Sequence, residues 1–388
     1  MEHYEKNKDY TISRRNLLKF GGLTGLALAT GANTLKASPS ELVDKRNKLF
    51  VPPYKPADGI VRLSSNENRY APSPAIRQAM IDAMDKTYLY SPSHYKTLVN
   101  KLAEKEGVPA DHILLVSGSN EGLRLTGLVY GRNGGEIVTG TPTYKALLSY
   151  AESFGGKITS VPLDINLKYD LQALEAKITN QTSMVFFCNP NNPTGTIVNG
   201  NDALEFCRRA SEKTLVFSDE AYCDYIEDKN YPTMVPLIKE GRNVIVSHTF
   251  SKVYGMAGVR VGYLIARPDI VNMLKPRVMG YVNMMGLAGA VAALDDSEFY
   301  QYSLQKNQEA KEMIYQVADE LGMRYVRSHT NFVFVETGMD ASVLVDRMLE
   351  HNVRVGRPFP PLSKWCRVST GTAEDMEKWA EAMRKVFV

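Results

Sequence analysis

The stretch MVFFCNPNNPTGTIVNGNDALEFCRRASEKTLVFSDEAY, from Met184 to Tyr222, reads as a complete strand–turn–helix–strand unit. Met184–Cys188 and Leu215–Ser218 are short, unbroken apolar runs without strict alternation, which suits strands covered on both faces of a mostly parallel sheet. Asp202–Glu212 between them reads as a helix. Asn189 to Gly195 reads as a rigid turn, because each proline restricts the residue before it and a glycine closes the segment. Working outward, Ile113–Val116, Glu136–Thr139, Val244–Ser247 and Val261–Ile265 are further strand candidates, and Leu171–Ile178 is a further helix. Strands alternating with helices predict an α/β domain with a mostly parallel central sheet.

Past about Ala290 the pattern changes. Met313–Leu321, Val343–Glu350 and Asp375–Phe387 look helical, and Phe332–Val335 and Arg367–Ser369 look like strands. Met376, Trp379, Met383 and Val386 recur at helical spacing, as a core-facing stripe does. The expected organisation is a large domain over residues 76–289 and a smaller α+β domain over 290–388. Residues 38–75 would join the smaller one.

The composition is that of an ordinary globular chain: 388 residues, 44% hydrophobic and 23% charged, with a net charge of +3. So small a basic excess gives no reason to expect a nucleic-acid partner. Cys188, Cys207, Cys223 and Cys366 form no C-x-x-C pair, and no H-E-x-x-H occurs, so no metal site is expected. The cysteines read as buried hydrophobes, with a Cys188–Cys223 bridge as the alternative.

The N-terminus reads as an address. Ser13-Arg14-Arg15-Asn16-Leu17-Leu18-Lys19 precedes an uncharged, small-residue stretch from Phe20 to Leu35. That stretch is shorter than the roughly 20 apolar residues of a membrane-spanning helix. A basic region, a modest apolar region and small residues near Ala37 make an export signal over residues 1–37. The arginine pair resembles the twin-arginine (Tat) signal, which implies the Tat translocase as partner and a bacterial periplasmic destination.

Ligands of open α/β sheets gather at the carboxyl ends of the strands, so polar loops after predicted strands are the candidate site. The most informative is Ser247-His248-Thr249-Phe250-Ser251-Lys252-Val253-Tyr254-Gly255-Met256-Ala257-Gly258-Val259-Arg260. Burial or a nearby cation would bring Lys252 toward the neutral, nucleophilic amine. Arg260 with the Thr249 and Ser251 hydroxyls offers a phosphate a charged fork and neutral donors. A lysine in a loop is otherwise a solvated charge. Asp219 ends another strand, where burial requires a cation or donors, or else the carboxylate caps a helix; Tyr222 follows it. Asn191-Asn192-Pro193-Thr194-Gly195 either holds an amide in place or is a plain tight turn. Ser119 and Asn120 open a helix, where main-chain N–H groups bind anions or are simply capped. Tyr144, after Pro142-Thr143, would ordinarily be packing.

Together with Asn66-Glu67-Asn68 and Arg367, these segments resemble fold-type I pyridoxal-phosphate (PLP) enzymes, specifically the aminotransferase class that contains histidinol-phosphate aminotransferase. The resemblance runs from about Arg62 to the C-terminus. It implies PLP held as a Schiff base on Lys252, with Asp219 on the pyridine nitrogen. Asn192 and Tyr222 would bond the ring oxygen, and Tyr144 would stack on the ring. Ser119, Asn120, Thr249, Ser251 and Arg260 would take the phosphate, with Tyr90 reaching it from the partner of a homodimer. Arg367 would grip the substrate carboxylate, with Asn331 and Asn68 nearby. An Asp–pyridinium contact near 4 Å is worth roughly 4 kcal/mol at an effective dielectric of about 20. One departure stands out: the arginine that usually follows the small-domain strand falls at Arg357, in a proline-rich loop, where it would meet an acidic or polar substrate side chain or lie at the surface. The expected activity is amino transfer between an amino acid, or a histidinol-phosphate-like amine, and a 2-oxo acid. The alternative is another PLP reaction, such as decarboxylation, racemisation or elimination.

Overall fold

The computed structural model describes residues 59–387 apart from Ala71 and Ser91. The export-signal reading falls outside those residues. The strand β1 is Val61–Arg62, and β2 to β8 are Ile113–Val116, Glu136–Thr141, Lys157–Pro162, Thr182–Cys188, Leu215–Asp219, Val244–Thr249 and Gly262–Ala266. The last seven form one sheet in the order β2-β8-β7-β6-β5-β3-β4. Only β8 runs antiparallel to its neighbours, so the sheet is the mostly parallel one its sequence predicts. Every residue of β6, β7 and β8 is buried, which explains why these strands read as continuous apolar runs.

The edge strand β4 was not legible. It reads Lys-Ile-Thr-Ser-Val-Pro and is mostly exposed or half-buried, so it lacks the apolar run that marks its inner neighbours. Several inner strands also run further than expected, β3 reaching Thr141 and β5 starting at Thr182. β6 continues to Asp219 and β7 to Thr249, because ladder bonds are main-chain bonds and do not stop at a polar side chain.

A second sheet, in the order β12-β10-β9, is antiparallel and comprises Trp365–Ser369, Phe332–Glu336 and Arg324–Tyr325. β1 pairs in parallel with β11, Val353–Arg354. Trp379, Met376, Val333 and Ile314 belong to a second apolar core here, distinct from the core around the large sheet. The helix Ser297–Glu320 serves both: Phe299 lies in the first core, Ile314 and Val317 in the second. Its first half was not read as helix because its polar residues outnumber the few that face a core. Met284–Asp295, a Gly/Ala/Met-rich helix, packs on Pro74–Asp82 and Pro92–Glu106, and none of the three was read.

The register of the inner strands positions the site. β5 sets Cys188 beside Asp219, and β6 sets Asp219 beside Ser247, so three loop-bearing strand ends share one edge. All four thiols are free. The alternative Cys188–Cys223 bridge is therefore excluded: Cys188 lines the cavity at that edge, whereas Cys223 lines a different one.

Candidate active site

At the carboxyl edge of the sheet a cavity of about 270 Å³ collects residues from seven separate segments. The loop after β7 supplies Ser251 and Lys252. Lys252 is half-buried, its Nζ donates to the Asn66 carbonyl at 3.0 Å, and it lies 5.2 Å from the centre of the Tyr222 ring. Burial, reinforced by the positive charge of Arg367, pushes the Lys252 ammonium down to about 8. That leaves a substantial neutral fraction near pH 8, as a nucleophilic amine requires.

Asp219 lines the same cavity and is 3% exposed. Among the described residues it accepts only from the Ala221 N–H at 3.2 Å and the Cys188 thiol at 4.0 Å. Burial pushes its carboxyl up to about 6. A buried carboxylate so poorly supplied favours a cationic partner.

The turn between β2 and the helix Ser119–Gly131 forms the opposite wall. Gly118 takes φ +78° and no side chain caps the helix, so its first N–H groups face the cavity edge uncapped. Arg260, itself at φ +65°, lays its guanidinium over this turn and donates to the Ala257 carbonyl at 2.7 Å. A Cβ at Gly118 would stand 2.2 Å from Arg260 Nη2, so the cradle depends on glycine there. Gly262 serves the same end, since a Cβ on it would meet the Ser119 nitrogen at 2.6 Å. Tyr144 donates to Asn120 Oδ1 at 2.7 Å on the cavity wall. Thr249 does not line the cavity; its hydroxyl donates to Ser251 and fixes that loop.

Arg367, from β12, is buried and lines the same cavity. It donates to Asn192 Oδ1 at 2.7 Å and to the Ser64 carbonyl at 2.6 Å, while its Nε has no partner. Asn192 Nδ2 in turn reaches the Tyr222 hydroxyl at 3.4 Å. Burial lowers the guanidinium's affinity for its proton, and the unpartnered Nε is a donor awaiting an acceptor.

Sequence reasoning passed over the residue that ties these groups together. Asn66, at φ +56°, donates to the Tyr222 hydroxyl at 2.9 Å, accepts from Ser369, and offers its carbonyl to both Lys252 and Asn331. Asparagine is one of the few residues that readily takes this left-handed conformation, which is the signal that could have found it. Glu67 and Ser65 also line the cavity. Asn68 does not. Its amide turns away to the Val253 carbonyl and the Ser303 hydroxyl, because the left-handed turn at Asn66 sends the next side chains in different directions. Asn331 stands behind Asn66, with a buried Oδ1 lacking a partner. Tyr90 is 92% exposed and lines no part of this chain's cavity. Arg357 is also exposed, stacked 4.6 Å over Phe359, whose ring lies 5.0 Å from Arg367 as well.

Comparison with known proteins finds relatives over nearly all of the described chain. The family model "Aminotransferase class I and II" matches residues 58–383. A histidinol-phosphate aminotransferase from Moorella thermoacetica is 38% identical over 84% of this chain and 86% of its own length. The structure of histidinol-phosphate aminotransferase from Sinorhizobium meliloti in complex with pyridoxal-5'-phosphate is 28% identical, with a TM-score of 0.78 over 84% of this chain and 92% of that one. A Thermus thermophilus aspartate aminotransferase tetra mutant shares the fold, with a TM-score of 0.75 at 19% identity, over 84% of this chain and 96% of that one.

Proposed function

The chain belongs to the aminotransferase class I and II family and is a PLP-dependent aminotransferase; from that premise we propose that it moves an amino group to a 2-oxo acid from a donor whose anionic group is held by Arg367. The observation that carries this reading is the unpartnered, buried Nε of Arg367 in the cavity that also holds Lys252.

The residues present fit the cofactor. Gly118 leaves a cradle that a Cβ would fill, and Asp219 is a buried carboxylate short of a cation. Ser119, Asn120, Ser251 and Arg260 would hold the phosphate, with Thr249 bracing Ser251. Asp219 would take the pyridine nitrogen, Asn192 and Tyr222 the ring oxygen, and Tyr144 one ring face. When bound, PLP supplies an electron sink for the negative charge that develops at the substrate Cα. Lys252 would hold the cofactor through its amine, and with Nζ free it would serve as the base that takes the proton from the donor Cα. Arg367 orients the donor so that this Cα–H faces Lys252.

Histidinol phosphate, the substrate in the relatives' names, is the first donor to test, alongside a panel of amino acids. Arg357 would meet a second polar or anionic group that reaches past Phe359. Incubating each donor with 2-oxoglutarate and following glutamate formation tests the reading. Glutamate from a donor with an anionic group supports it; equal rates from amines lacking one would refute it.

Homodimer assembly and export are parts of the same proposal. The exposure of Tyr88, Tyr90, Met279 and Tyr281, at 82%, 92%, 68% and 84%, supports a partner subunit that covers them. The Ser13-Arg14-Arg15 segment supports export by the Tat translocase to the periplasm.

A further inference from the structure

A second cavity of about 530 Å³ shares no lining residue with the active site and is lined by Glu220, Cys223 and Asp224 among others. We propose that Glu220 and Cys223, from its wall, and the buried His248 beside them form a zinc site.

One ligand atom from each of the three residues lies within 4.8 Å of the other two. His248 carries the argument. Its Nδ1 faces the Tyr263 hydroxyl at 3.1 Å, and that hydroxyl donates to Glu106 Oε1 at 2.7 Å. A phenol oxygen that has given its proton to a carboxylate accepts from Nδ1–H. The lone pair of a neutral imidazole is then on Nε2. Nε2 lies 3.1 Å from Glu220 Oε2. Two acceptors at that distance require a proton or a metal ion between them. A ligating imidazole held on its other nitrogen through a hydroxyl to a carboxylate is the outer-shell arrangement that orients metal-bound histidines. Lys105 Nζ, 2.9 Å from Glu106 Oε1, completes that shell.

Glu220 is equally preset. Oε1 accepts from the Ser218 hydroxyl at 3.0 Å and the Met234 N–H at 2.9 Å, and Oε2 accepts from the Thr233 hydroxyl at 2.6 Å. A thiolate, an imidazole and a carboxylate form a borderline-soft donor set, which selects zinc over calcium or magnesium. Water from the cavity that Glu220 and Cys223 line would supply the fourth ligand. Binding displaces one proton from Nε2 and one from the Cys223 thiol, so a divalent ion replaces two protons at constant net charge. No motif in the chain marks this site, because the ligands come from adjacent strand ends rather than one helix. The ion would tie the residue after Asp219 to the residue before Thr249.

Zinc titration of the chelator-treated, PLP-loaded enzyme tests the assignment. One zinc per chain should survive gel filtration, and calorimetry in two buffers of different ionisation enthalpy should show about two protons released per ion. Cys223→Ser and His248→Gln should each weaken binding at least about tenfold. Independently of any variant, zinc should protect Cys223, the one cysteine not fully buried, from alkylation. Failure to retain zinc, equal retention by wild type and Cys223→Ser, or unprotected alkylation would each overturn the proposal. None of these readouts depends on the donor substrate.

Discussion

Lys252 Nζ donates a 3.0 Å hydrogen bond to the main-chain carbonyl of Asn66, a residue 186 positions away that is held in the left-handed region. This contact ties the proposed nucleophile to the N-terminal segment that also meets Tyr222, Ser369 and Asn331. It makes the active site a joint product of both apolar cores.

Lys252→Ala should abolish the cofactor-dependent visible absorbance and reduce amino transfer by at least about 10²–10⁴-fold, the range a positioned acid–base group supplies. Absorbance spectra and coupled glutamate assays check both. A coloured, active variant would remove Lys252 from the chemistry.

The Asp219 carboxyl is raised from 3.8 to about 6 by burial, so in cofactor-free protein it binds its proton more tightly folded than unfolded. That contribution is fully present below about pH 4 and is lost as pH rises through about 6, amounting to roughly 3 kcal/mol. Wild-type apoprotein should therefore lose stability relative to Asp219→Asn over that window. Denaturant titrations at pH 4 and pH 7 measure the difference, and parallel curves would contradict it.

Gly118→Ala combines a left-handed backbone with a clash against Arg260. At φ +78° and ψ 153°, a region essentially restricted to glycine, the backbone strain alone costs an L-residue about 1–3 kcal/mol. Displacing Arg260 should further weaken PLP binding, to more than tenfold below wild type by equilibrium dialysis. Unchanged affinity would mean the phosphate lies elsewhere.

Arg367→Lys keeps the charge but loses the fork. kcat/KM for an anionic donor should fall by at least about tenfold, more than for a neutral amine, because truncated charged hydrogen bonds cost roughly 1.5–3 kcal/mol. Equal losses for both donors would assign Arg367 a purely structural role.

Asn66→Gly preserves the left-handed turn but removes the amide, whereas Asn66→Ala also strains the backbone. The glycine variant should be the more stable of the two by about 1 kcal/mol in thermal melts. Both should lower kcat through Tyr222.

The inner strands and the polar loops that follow them were legible in sequence because burial on both faces writes itself as an unbroken apolar run. Lys252, Asp219, Tyr222, Arg260 and Arg367 could be singled out because their motifs are local. β4 and the first half of the helix Ser297–Glu320 could not, since an edge strand and a helix shared between two cores carry no clean period. The choice between Asn66 and Asn68 could not be made either: two asparagines two residues apart look alike until the turn at Asn66 aims one inward and the other toward Ser303. The sequence by itself determined which inner segments are strands and which loops carry charge, and so the α/β class, and its motifs carried the resemblance that implied the cofactor. Tertiary structure alone decided that Glu220 and His248 meet behind Asp219 and that Asn66 caps Lys252. Such contacts depend on strand register and on a single left-handed residue, and neither leaves a periodic trace in the chain.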